Sequence, residues 1–444
     1  MYHLPMSTIS YPPSSMGHHG APAGSAHDDI TPGEVAVGVI IGRSSEYFDF
    51  FVFGIACVLV FPSLLFPFLS RLDGTLMAFA IFSLAFIARP FGTALSMAIQ
   101  RRWGLAFKLT IALFLLGSCT VSMAFLPSYE SQGALAIWAL VLLRIGQGLA
   151  QGGSWDGLRT LLALTAPENR RGWYAMIGQL GAPVGFVLAA ALFAYFHSSL
   201  TEAEFLDWGW RYPFCVAFAI NVVALFARLR LVVDPTYAAR LEQLELEPAR
   251  VRELLDAEGG NVAINSFVAL ASFALFHLVT VFPLSWIMIF SYQPVAEVLS
   301  TQIVGACCAA VAIVLSGVLA DRFGRAGVLL AASVLIGVFS LVIPMLLGAG
   351  AAGQKTFIIV GFILLGLSYG QSSGVVTSNL PKRLRYTGAA ISTDVAWLIG
   401  AAFAPLVALG LSSRFGPVAA GLYLLSGVVC TLIALWVGRA TSRE

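Results

Sequence analysis

The chain has 444 residues, of which 58% are hydrophobic and 11% charged, with a mean hydropathy of +0.86. A soluble domain carries about 45–50% apolar and about 25% charged residues, so this composition excludes a chain that can hide its apolar surface from water. A formal net charge of +2 gives no argument for a nucleic-acid partner, and six scattered His with no HExxH and no GxxxxGK[ST] loop speak against a zinc enzyme or an ATP-driven pump.

Residues 1–33 are rich in Pro, Ser, Gly and His and lack a continuous apolar core, so they read as a disordered cytoplasmic tail rather than a signal peptide. The adjacent His18 and His19 have no further ligand type nearby and predict no metal site. Apolar stretches long enough to cross a bilayer, roughly 20 residues each, then run at 35–61, 74–98, 106–126, 134–160, 172–197 and 211–233. A charged, partly helical loop at 234–262 separates these from six more, at 263–290, 298–320, 326–348, 356–379, 387–411 and 416–438, before a short tail at 439–444. Arg101, Arg102, Lys108, Arg170, Arg171, Arg322, Arg325, Lys382, Arg383 and Arg385 all fall on one side if the amino terminus is cytoplasmic. The reading is an all-α membrane protein: twelve transmembrane helices in two pseudo-symmetric six-helix bundles, 34–233 and 263–438, with both termini cytoplasmic. Cys57, Cys119, Cys215, Cys307, Cys308 and Cys430 lie in or at the ends of apolar segments without a CxxC pair and read as small buried hydrophobes.

The first span carries Arg43, Glu46 and Asp49 at i, i+3 and i+6. At roughly 2.5–3.5 kcal/mol each, three such charges would cost about 8–10 kcal/mol facing lipid, so they should face a polar cavity. Asp49 fits proton coupling or solute binding; Glu46 fits that role or a structural pair with Arg43. The fourth span reads LRIGQGLAQGGSWDG from Leu143 to Gly157, where Gly148 and Gly152 permit close helix approach. Its Arg144 suits a carboxylate of the cargo or a buried carboxylate partner, with Gln147 and Gln151 adding polarity; Asp156 either pairs with Arg159 or serves transport.

Further polar residues inside spans are Arg89, Gln179, Tyr369, Gln371 and Asp394, the last either lining a cavity or pairing with Lys382 or Arg383. His277 reads as packed and hydrogen-bonded. After the eighth span, GVLADRFGR at Gly317–Arg325 brings Asp321, Arg322, Gly324 and Arg325 into a tight turn. Such charges either latch onto a neighbouring helix end in one conformation or anchor the loop at the membrane surface. The counterpart after the second span, GTALSMAIQRRWG at Gly92–Gly104, is a faint copy, with Arg101 and Arg102 as gate candidates.

In order along the chain, SSEYFDFFVFG, IARPFG, LRIGQGLAQGGSWDG, NRRGWYAMIGQLGAPVG, WGWRYPF, GVLADRFGR and LPKRLRYTGAAIS resemble the metabolite:proton symporter branch of the major facilitator superfamily. That resemblance spans about residues 35–438 and implies an alternating-access carrier of a small organic acid or zwitterion in the bacterial inner membrane, driven by protons, with a proton-coupled exporter or exchanger, or a solute sensor that does not transport, as the alternatives. Its expected partners are a small organic solute, protons and the bilayer. No cofactor or metal is expected beyond the coupling proton, and the protein is expected to be a monomer. It points to Glu46 and Asp49 as the acidic pair of the first span, Arg89 as the arginine of the second, Arg144 with Gln147 as the polar pair of the fourth, and Asp321, Arg322 and Arg325 as the inner gate. The chain departs from that pattern at the first-half loop, where Gln100, Arg101, Arg102 and Leu105 replace a Gly-Asp pair and its following Arg, and at Arg43 and Ser154.

Overall fold

The computed structural model describes residues 32–441 apart from 159–160, 163–165, 234–238, 240–242, 244–245 and 376–379. Nearly all of the 1–33 tail, much of the 234–262 loop and most of 439–444 therefore lie outside the described residues, as does Arg159. Among the described residues the secondary structure is all helical.

The principal helices are α1 (Pro32–Leu59), α2 (Arg71–Met123), α3 (Ala134–Gly153), α4 (Arg171–Ile177), α5 (Gly181–Ser199) and α6 (Arg211–Val232). They are followed by α7 (Val251–Val268), α8 (Leu270–Thr280), α9 (Phe282–Phe290), α10 (Val295–Phe323), α11 (Arg325–Gly348), α12 (Gly350–Val375), α13 (Lys382–Gly400), α14 (Ala404–Phe415) and α15 (Val418–Thr441). Among the described residues, ten helical stretches are long and apolar enough to cross a membrane. One of the ten, α2, is 53 residues long and breaks at Gly104, where φ is +86°. It thus takes in two of the stretches read from the sequence. The α1 helix falls outside the ten; its window contains Glu34, Arg43, Glu46 and Asp49. The predicted central loop ends earlier than expected, because α7 starts at Val251 and runs on, through a break at Glu258, into the seventh apolar stretch.

Beside an extensive apolar core, the burial pattern departs from a soluble protein's in its charged and its exposed residues. Arg43, Asp49, Arg144, Gln147, Arg228, Gln371 and Asp394 are buried, while Phe91, Phe114, Leu142, Phe226, Leu341 and Trp436 stand exposed. Apolar side chains cover the outside because the surrounding hydrocarbon is their solvent, and polar groups turn inward to one another. The cysteine expectation holds only for Cys57 and Cys119; Cys215 and Cys307 stand on the exposed face. A small group such as a thiol gains nothing from burial where the surroundings are themselves apolar.

Close approach within the first group of helices depends on small residues, as the sequence predicts. A Cβ at Gly148 would lie 2.3 Å from the carbonyl oxygen of Ala85, and one at Gly152 would lie 2.2 Å from that of Arg89. The α3 backbone therefore lies directly on α2, which fixes Arg89 beside Gln151. The groups before and after the central segment meet where α4 and α5 pack on α10, α2 on α13, and α4 on α12.

Candidate functional site

Where the two groups meet, a narrow cavity is lined by Arg43, Glu46, Arg89, Thr93, Gln151, Ser154, Trp155, Asp156, Arg228 and Asp394. Its free space is about that of one water molecule, so the helices are closed around it. Three guanidiniums face three carboxylates, and the lining is charge-balanced.

Glu46 is the hub. Arg43 donates to its Oε2, Arg228 Nη2 donates to Oε1 at 2.6 Å, and Ser154 Oγ donates to the same oxygen at 2.9 Å. The Arg43–Glu46 pair left open by the sequence is therefore present, but it is half of a larger network. Arg228 also gives Nη1 to the Ser154 carbonyl at 3.2 Å and stands 3.9 Å from Asp156. Room for its guanidinium comes from Gly42, where a Cβ would lie 2.2 Å from Arg228 Nε.

Asp394 pairs with Arg89, Nε to Oδ1 at 2.7 Å, and accepts a hydrogen bond from Thr93 on its other oxygen. Both sequence alternatives thus find a part of the answer: Asp394 lines the cavity, and it is paired, though with Arg89 of α2. Of the cations first considered, Arg383 instead reaches Glu253 on α7.

Above the ion network an aromatic compartment shares Arg43, Glu46, Arg89 and Gln151 as one wall and has Tyr47, Phe50, Phe86 and Trp397 as the other. The Tyr47 and Tyr369 hydroxyls meet across the two groups, Phe86 stacks on Trp397 at 6.0 Å, and the Arg43 guanidinium lies 4.7 Å from the Tyr47 ring centre. His277 is packed, as expected, 4.9 Å from the Phe50 ring.

Asp49, Arg144 and Gln147 do not join this cavity. Asp49 accepts from Asn221 Nδ2 at 2.7 Å, and Asn221 in turn accepts from Ser45, inside the first group. Arg144 spends its donors on the Phe82 carbonyl at 3.1 and 3.2 Å and on Gln147 at 3.0 Å, with Phe53 4.0 Å beneath its guanidinium. In this closed arrangement Arg144 is fully buried and bonds a backbone carbonyl and an amide, with no carboxylate of the described residues among its hydrogen-bond partners. Gln179 and Gln371 bridge the groups, reaching Ser372 and the Gly172 carbonyl, each at 3.3 Å.

At the end carrying the Gly104 and Gly324 turns, Asp321 of α10 accepts from the backbone N–H groups of Gly172 at 2.6 Å and Trp173 at 3.3 Å. These are unpaired donors in the first turn of α4, where a carboxylate is favoured by both hydrogen bonding and the helix dipole. Arg322 is exposed beside Phe323, while Gly324, at φ +79°, makes the turn to Arg325. In the first half Gly104 occupies the equivalent turn, which puts Arg101 where the second half has Asp321. A cation cannot cap a helix start; Arg101 instead donates to the Ala249 carbonyl at 3.1 Å, and Arg102 stays exposed beside Trp103. The contact across the groups is made by residues the sequence did not mark as gate candidates: Gln100 Oε1 accepts from Lys108 Nζ at 2.8 Å and from the Tyr386 hydroxyl at 2.9 Å. Among the described residues no cluster of three or more metal-ligating side chains occurs.

Comparison with known proteins places these features in context. The model of the Major Facilitator Superfamily matches residues 51–405. The inner membrane metabolite transport protein YhjE of Escherichia coli K12 is 33% identical over 419 residues, covering 93% of this chain and 95% of that protein. The shikimate transporter of the same organism is 30% identical over 411 residues, covering 90% and 92%, and its proline/betaine transporter is 26% identical over 410 residues, covering 88% and 80%. Among solved structures, the partially occluded inward-open conformation of the xylose transporter XylE from E. coli matches with a TM-score of 0.68 at 17% identity, covering 90% of this chain and 96% of that one.

Proposed function

The chain belongs to the Major Facilitator Superfamily, and from that membership and the cavity geometry we propose that it carries a small organic acid or zwitterion by alternating access, in symport with protons. It is a multi-pass transporter of the inner membrane, not an enzyme, as its relatives are. The names of the relatives, carriers of a metabolite, shikimate or proline and betaine, support a solute bearing a carboxylate.

The observation that carries the reading is the charge balance of the cavity, with Arg43, Arg89 and Arg228 against Glu46, Asp156 and Asp394. An anion entering this low-dielectric space leaves it one negative charge in excess, and a proton taken up with it restores neutrality. Asp49, buried in the first group and bonded to Asn221, is the proton carrier in this scheme.

The architecture proposed is twelve spans in two six-helix halves, 34–233 and 263–438. They comprise the ten long apolar stretches, the further span gained by dividing α2 at Gly104, and α1. Basic loops put the Gly104 and Gly324 turns and both termini on the cytoplasmic side. Asp321, with Arg322, Gly324 and Arg325, forms the inner gate of a protein that acts as a monomer. The reading is tested by solute uptake into proteoliposomes under an imposed pH gradient. Uptake that a protonophore abolishes supports it; uptake indifferent to the gradient leaves facilitation, and binding without uptake leaves a sensor.

A further inference from the structure

The donors and acceptors of the cavity do not come out even, and the imbalance points to what the cavity holds. On the acceptor side, Glu46 is held by Arg43, Arg228 and Ser154, and Asp394 by Arg89 and Thr93. On the donor side, the contact of Arg89 with Asp394 is made through Nε, and its two terminal amino groups have no protein acceptor among the described residues. Gln151, 7% exposed, likewise has no side-chain hydrogen bond among the described residues. Both residues line the ion network and the aromatic compartment, so they stand at the junction of the two. These groups face the cavity, and donors that face a closed interior without acceptors are costly unless a ligand supplies the acceptor.

We infer that Arg89 and Gln151 form the carboxylate-binding point of the site, for a monocarboxylate whose compact, uncharged ring lies against Tyr47, Phe50, Phe86 and Trp397. This inference rests on the transporter reading and narrows it. A planar guanidinium with its outer edge open offers two parallel N–H groups that match the two oxygens of a carboxylate, and the Gln151 amide adds a third donor. Meanwhile the Asp394 carboxylate, 2.7 Å from the inner Nε, holds the guanidinium by charge on the side away from that edge. The aromatic wall opposite suits a ring face. It does not suit a quaternary ammonium, because Arg43 and Arg89 outnumber Glu46 around that compartment and Arg43 already covers the Tyr47 ring.

The test is calorimetric titration of the purified full-length protein with benzoate, cyclohexanecarboxylate, their primary amides, cyclohexylamine, glycine betaine and D-xylose. The two acids are expected to bind at least about tenfold more tightly than their amides, and Gln151→Leu to weaken the acids several-fold. Arg89→Lys keeps the charge beside Asp394 but loses the fork, and is expected to weaken the acids by about tenfold while the protein keeps its wild-type melting temperature. Amides binding as well as acids, no acid binding at millimolar concentration, or acid affinity unchanged in Arg89→Lys and Gln151→Leu would each overturn the carboxylate point. Betaine binding more tightly than either ring acid would overturn the neutral ring. Acid binding that follows these substitutions without proton-driven uptake would sink the transport reading alone and leave the carboxylate point standing.

Discussion

Arg89 Nε lies 2.7 Å from Asp394 Oδ1, and this contact ties α2 of the first helix group to α13 of the second in the middle of the protein. Both side chains are largely buried, so each charge depends on the other. Replacing one partner of such a pair costs about 3–5 kcal/mol because it strands the remaining charge. Asp394→Asn is therefore expected to lower the melting temperature of the detergent-solubilised protein clearly, and Arg89→Gln/Asp394→Asn to recover most of the loss. Additive effects in that double-mutant cycle would show that the two residues do not interact.

The gate at the Asp321 end predicts an asymmetry between the halves. Asp321→Asn weakens the cap on α4 by about 1 kcal/mol, which shifts the population open at that end roughly fivefold. Arg101→Ala, at an exposed side chain bonded to one carbonyl, is expected to change it by less than about 0.5 kcal/mol. Maleimide labelling of Ser372→Cys, buried between the groups, in a background without native cysteines, reads both effects. Equal labelling rates in the two variants would remove the assigned latch.

The neutral contact of the first half has its own signature. Tyr386→Phe deletes the hydroxyl that donates to Gln100 and contacts Lys108 at 3.2 Å, a loss of about 1 kcal/mol. Labelling of Ser372→Cys should rise by a factor similar to that with Asp321→Asn, and the two substitutions together should exceed either alone.

Helix contact at Gly152 sets the position of the site. A valine there would place its Cβ 2.2 Å from the Arg89 carbonyl oxygen, a backbone atom that cannot swing aside. Over-packing of this kind costs about 1–3 kcal/mol even where side chains can adjust. Gly152→Val is expected to abolish a monodisperse gel-filtration peak, whereas Gly410→Ala, whose added Cβ meets only a Leu76 methyl at 3.5 Å, should leave it intact.

Much of this was legible from residue order. The all-helical architecture, the Gly148/Gly152 approach and the turn at Gly324 follow from length, side-chain size and charge placement, and ten long apolar helical stretches are found among the described residues. What one linear sequence could not give was the choice of partners. Arg228 stands near the end of an apolar stretch, two residues before Arg230, where a basic residue reads as a surface anchor; only the space left by Gly42 turns it inward to Glu46. Asn221, a neutral amide in the sixth stretch, carries no charge signal, yet it is what Asp49 bonds. Arg144 suited a cargo carboxylate or a buried carboxylate partner, and its bonds to the Phe82 carbonyl could not be read, because backbone acceptors are invisible in a residue string. Asp394 and Arg89 are about three hundred positions apart, and no local pattern announces their pairing.

The most direct test of the account is the external pH of proteoliposomes, followed with an impermeant dye while benzoate or cyclohexanecarboxylate is added, for wild type and Asp49→Asn. The account predicts alkalinisation outside with the wild-type protein, none with Asp49→Asn, and solute exchange retained in the variant. Solute entry into wild-type vesicles without any proton signal, or an unchanged signal in Asp49→Asn, would contradict it.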